Sequence, residues 1–212
     1  MNVKLAIAAS ALALLTAAPA FATITIISSP PFPSNPPENV LLNDASSGLT
    51  VLGTTNNTGT KVTFTGTETL TEPASGQARI EATDGSFNAL TIGLQNPTLG
   101  TAAFEFNIDA TADGTINLLF FDQFGTSFGG NFAVGGSGSN FFNAVASGGE
   151  LIKSVQLTGV GATTFADVAQ VRLGGFSTIG VIPEPGSWAL MILGFGGVGA
   201  ALRHRRRTPA LA

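Results

Sequence analysis

The sequence predicts an all-β protein: a β-sandwich or jelly-roll-like single domain over residues 23–182, set between an N-terminal signal peptide and a short C-terminal transmembrane helix. Three observations predict it. Apolar residues recur at period two in short runs, which is the signature of half-buried strands. Turn residues punctuate those runs. Between the two hydrophobic ends no window carries a helical period.

Taken in order, the chain opens with Lys4 as a positive start and an apolar run from Leu5 to Leu15. Ala20-Phe21-Ala22 then supplies a small-x-small cleavage box. This is the pattern of a secretory signal over residues 1–22, with Thr23 as the first mature residue. Ser29 to Pro37 holds five prolines in nine residues, a stiff extended arm and not part of a central sheet. Val62 and Phe64, then Ala78, Ile80 and Ala82, then Phe104, Phe106 and Ile108 alternate with polar residues. Ile116, Leu118 and Phe120 share one face of a strand, with Asn117, Leu119 and Phe121 on the other. Val155 and Leu157 follow, then Ala169, Val171 and Leu173. About eight to ten strands result, a number suited to a sandwich. Asn56 to Gly59, Asp84-Gly85 and Asp113-Gly114 mark turns, the last read as a hairpin, and glycine-rich Gly125 to Ser139 reads as a mobile loop. No regular repeat argues for a solenoid or propeller.

The tail has three parts. Pro183-Glu184-Pro185 holds the backbone out of a helix. Trp188 to Leu202 is uncharged, and the predicted transmembrane helix runs over residues 187–202. That length is at the lower limit for crossing a bilayer, with Trp188 at the interface. Arg203, Arg205, Arg206 and Arg207 form a basic stop-transfer cluster, which the positive-inside rule places in the cytoplasm. Pro-Glu-Pro, Gly186-Ser187 and Trp188-Ala189, followed by the apolar stretch and the arginines, resemble the PEPxxWA variant of the PEP-CTERM sorting signal. The resemblance covers residues 181–207, with Pro183, Glu184, Pro185, Trp188 and Ala189 as the motif. It implies a substrate of an exosortase-type transpeptidase in a Gram-negative bacterium. Such a chain is exported by the Sec machinery, held transiently in the inner membrane and passed to the cell surface or extracellular matrix. It also implies a link to exopolysaccharide and biofilm.

The body offers little chemistry. There is no cysteine or tyrosine, and the one histidine, His204, stands among the terminal arginines, so the body has no histidine for a Ser-His-Asp triad or a zinc site. Residues 23–182 carry four basic and twelve acidic residues, net −8, and nucleic acid is not an expected partner. Glu81, Glu105, Asp109 and Asp122 are acids that neighbouring strands can bring together on a structural calcium, although solvated strand faces are the simpler account. Asp109 to Phe120 echoes a calcium loop but lacks its closing glutamate. Phe141-Phe142 reads as core packing, with stacking on sugar as the alternative. The expectation is therefore no catalytic residue, no metal and no cofactor. The expected role is a non-enzymatic structural or adhesive surface protein. The alternative is a secreted domain that binds or cleaves polysaccharide and carries the same tail.

Overall fold

A computed structural model describes residues 23–30, 36–43, 46–72, 76–137, 139–180, 191–199 and 203. Contacts divide the chain into two units, residues 1–179 and 180–212.

The first unit is all-β, with thirteen strands among the described residues. They are β1 (Thr23–Ile27), β2 (Glu38–Leu42), β3 (Ser47–Thr55), β4 (Lys61–Thr71), β5 (Gly76–Gln77), β6 (Arg79–Ala82), β7 (Ala89–Leu94), β8 (Leu99–Ala110), β9 (Gly114–Asp122), β10 (Ser127–Val134), β11 (Asn140–Ser147), β12 (Ile152–Gly159) and β13 (Phe165–Thr178). The pairing runs β1-β11-β8-β13-β2-β3-β4-β7-β12-β9-β10, with β5 on β2 and β6 joining β13 to β4. All recorded pairs are antiparallel. The sheet folds over itself into a barrel-like sandwich, and strands that do not pair pack face to face. Phe104 of β8 meets Phe120 of β9 edge-on at 6.0 Å, and Phe132 of β10 meets Phe142 of β11 edge-on at 5.6 Å. Phe106 stacks on Phe142 at 5.8 Å. Such ring pairs add to the area they bury.

Alternation decides which residues enter this core. Val62, Phe64, Ile80, Phe104, Phe106, Ile108, Ile116, Leu118, Phe120, Val155 and Leu157 are buried, as their spacing predicts. Three expectations need correction. Asp113-Gly114 is not a hairpin, because β8 and β9 do not pair; the turn carries the chain across the sandwich. Residues 127–134 of the glycine-rich stretch are strand β10, paired along its length with β9. Phe128 and Phe132, four residues apart, pack against the core and pin that strand despite Gly129 and Gly130. In β13 the alternation changes phase: Val168, Val171 and Leu173 are buried, while Ala169 turns to the outer face. The cause is a bulge between Ala169 and Arg172, where Gln170 has φ 55°.

In the second unit residues 191–199 are helical and exposed, as is Arg203. Among the described residues no helix is long and apolar enough to cross a membrane. The other residues of the predicted 187–202 span lie outside the described set, as do the signal segment with Ala20 and Ala22, the motif residues Pro183, Glu184, Pro185, Trp188 and Ala189, and Arg205 to Arg207.

Candidate polar cleft on the β6–β13–β8 face

Strands β6, β13 and β8 lie side by side, and their register builds a polar face. Glu81, Asp167 and Asp109 stand directly across from one another, and Arg79, Ala169 and Asn107 form the next row. Directly opposed residues of an antiparallel pair point to the same side. On β11 Phe141 continues the Asn107 row, and Asn143 continues the row of Arg172 and Glu105 beyond the bulge. The even-numbered residues of β8 (Phe104, Phe106, Ile108 and Ala110) face the core, so its odd-numbered ones carry this surface.

An open cleft of about 470 Å³ lies on the face, lined by Gln77, Arg79, Asn107, Asp109, Asp167 and Gln170 among others. Arg79 is half exposed and donates from Nε to Glu81 at 3.0 Å and from Nη2 to Asp167 at 2.9 Å. Asp167 is buried, and burial is the main cause of its raised pKa. The Arg79 charge opposes that rise, while the charges of Asp109 and Glu81 add to it. Asn107 is only 8% exposed, and its Oδ1 accepts no hydrogen bond from the protein. An amide oxygen left so is uncommon in a folded interior. Gln170 stands on the bulge in the left-handed region, held by its own N–H donating to Ala78 O at 2.9 Å. For a non-glycine residue that conformation costs about 1–2 kcal/mol.

The adjoining row is closed internally. Asn143 Nδ2 donates to Glu105 Oε2 at 3.1 Å, and Arg172 lies 4.0 Å from Glu105 Oε1. Of the four acids considered for calcium, Glu81 and Asp109 flank Asp167, and Glu105 lies further along the same face. Asp122 is elsewhere: it caps the β9–β10 turn, accepting from the N–H groups of Phe124 and Thr126 at 2.8 and 2.7 Å. Among the described residues no group of three His, Cys, Asp or Glu side chains is arranged to hold a metal ion.

Phe141 and Phe142 are consecutive strand residues and therefore separate. Phe142 enters the core, and Phe141 is half-buried on the side of Asn107. Asp167 and Gln170 were missed as site residues. Their signal was the three-residue step from Val168 to Val171, one longer than a regular strand allows.

Residues 181–207 match the family model of the PEP-CTERM protein-sorting motif. The chain carries a PEP-CTERM sorting motif. The PEP-CTERM match includes the Pro-Glu-Pro tripeptide, the apolar stretch and all four terminal arginines. No curated protein matches the chain. Among solved structures it is similar to a family 29 carbohydrate-binding module at 9% identity, over 78% of this chain and 96% of the module, with a TM-score of 0.30. A family 29 module from Piromyces equi is similar at 9% identity over 70% and 89%, with a TM-score of 0.29. The enzymatically active domain of bacteriophage CBA120 tailspike protein 4 is similar at 13% identity over 72% of this chain and 19% of that one, with a TM-score of 0.26. Likeness at these scores carries nothing about ligand or site residues to the PEP-CTERM chain.

Proposed function

We propose that this is an exported, exosortase-processed protein of the cell surface or extracellular matrix, with a non-enzymatic structural or adhesive role for residues 23–182. The observation that carries this reading is the PEP-CTERM sorting motif at residues 181–207. The tail's order supports a membrane-held intermediate: a proline-restricted strip, an apolar segment, then arginines that stop translocation. The motif is presented to the processing enzyme outside the membrane while the arginines stay inside.

The non-enzymatic half rests on the cleft. Its buried acid, Asp167, is bound by a guanidinium, and the arginine is shared with Glu81. A general acid or nucleophile must be free to reach its substrate. The chain's one histidine is in the tail, so the body offers no imidazole as proton carrier.

The test is intact-mass spectrometry of the protein recovered from the surface of the producing cell and from its inner membrane. The expected result is a membrane form with the tail and a surface form ending near Pro185. A surface form that keeps Trp188 through Arg207 would overturn the processing. In cells lacking the exosortase, the membrane form should accumulate and the surface form should be lost.

A further inference from the structure

We propose that the cleft over β6, β13 and β8 is a binding site for a neutral polyhydroxylated chain, a segment of uncharged polysaccharide. The inference rests on the adhesive part of the reading above and is independent of how the tail is processed.

Three observations carry it. The cleft is open and of about 470 Å³, within the range of ligand sites and suited to a chain that enters and leaves. Its lining mixes donors and acceptors on planar side chains: the Gln77, Asn107 and Gln170 amides, the Arg79 guanidinium and the Asp109 carboxylate. A sugar hydroxyl both donates and accepts, so neighbouring hydroxyls match such planar forks. Asn107 belongs to the lining, and its shielded Oδ1 has no protein partner, which leaves one buried polar group beside the cleft without its hydrogen bond.

Charge narrows the class. Arg79 is already neutralised by Asp167 and Glu81, and Asp109 adds a further negative charge. Phosphate, sulfate or uronate groups would meet net repulsion here. A cation would have to displace the guanidinium from two carboxylates at 2.9 and 3.0 Å. A neutral ligand makes neither demand.

The bulge supplies an argument of a different kind. Gln170 is exposed at the cleft and held in a conformation that favours glycine. Glycine would serve the backbone better but brings no amide, and asparagine, the other amide residue that tolerates this conformation, has a shorter reach into the cleft. Strain retained at such a position points to use.

The experiment is affinity electrophoresis of the full-length chain in detergent. The gels contain dextran, mixed-linkage β-glucan, galactomannan or xylan, with alginate and polygalacturonate as anionic counterparts. Retardation is expected with at least one neutral polymer and weaker retardation with the anionic ones. Gln170→Gly should weaken binding about tenfold, a loss of about 1.4 kcal/mol, while its thermal midpoint stays or rises. Arg79→Ala should also weaken binding. Because that change leaves Asp167 buried and unpaired, the glycine variant carries the test if Arg79→Ala fails to fold. Failure of every neutral polymer to retard the chain, preference for the anionic polymers, or wild-type binding by Gln170→Gly would each overturn the site. Release of reducing ends from a bound polymer would support the site while overturning the non-enzymatic reading.

Discussion

Lys153 Nζ donates to three backbone carbonyls, those of Asn96, Pro97 and Leu99, at 2.8, 3.0 and 2.6 Å. One cation thus ties down the loop between β7 and β8, and burial lowers its pKa. Lys153→Ala should cost about 2 kcal/mol in urea unfolding, in line with charge-assisted bonds to groups that then need new partners. Two glutamates respond to pH with opposite signs. Burial alone would raise the pKa of Glu38, but hydrogen bonds from the Thr58 N–H and hydroxyl hold it below the ordinary value. Its contribution is present above the unfolded pKa and is lost as pH falls through the folded one. Burial, then the nearby Asp122 charge, raises the pKa of Glu150. Its contribution is full below the unfolded pKa and is lost as pH rises through the folded one. Glu38→Gln should therefore lower the denaturation midpoint at neutral pH. Glu150→Gln should raise it there and lose that advantage in acid.

At the scale of elements, β13 joins the core to the cleft. Its bulge lets Val168 and Val171 both face inward while Asp167, Ala169 and Gln170 stay with the polar side. Gln170→Gly relieves the left-handed strain and should stabilise the domain by about 1 kcal/mol, read from the shift of a denaturant midpoint. The strands themselves were legible because alternation is local: β4, β8, β9 and β12 follow from residues two apart. Strand β10 was not legible. Gly125, Gly129 and Gly130 look like loop, and only the packing of Phe128 and Phe132 against the core makes the segment a strand. The Asp113-Gly114 turn was seen as a turn but not as a crossing, because turn chemistry does not say which partner a strand finds.

For the whole molecule, the charges fall into unlike parts: residues 23–182 carry −8, while residues 183–212 carry four arginines against Glu184. The single tryptophan, Trp188, is in the tail, and there is no tyrosine. Removal of the tail should abolish tryptophan emission, so a surface form that still fluoresces with a tryptophan spectrum would contradict cleavage before Trp188. The sequence by itself determined the sorting motif and the all-β class. A sorting motif is a linear pattern of residues, and strand periodicity is likewise written in neighbouring residues. It also placed most of the phenylalanine core. Only the tertiary structure decided the cleft. Arg79, Asn107 and Asp167 are far apart in the chain and meet because β6, β13 and β8 pair in one register. The bulge that turns Gln170 toward that cleft is a property of two paired strands, and no single stretch of chain contains it.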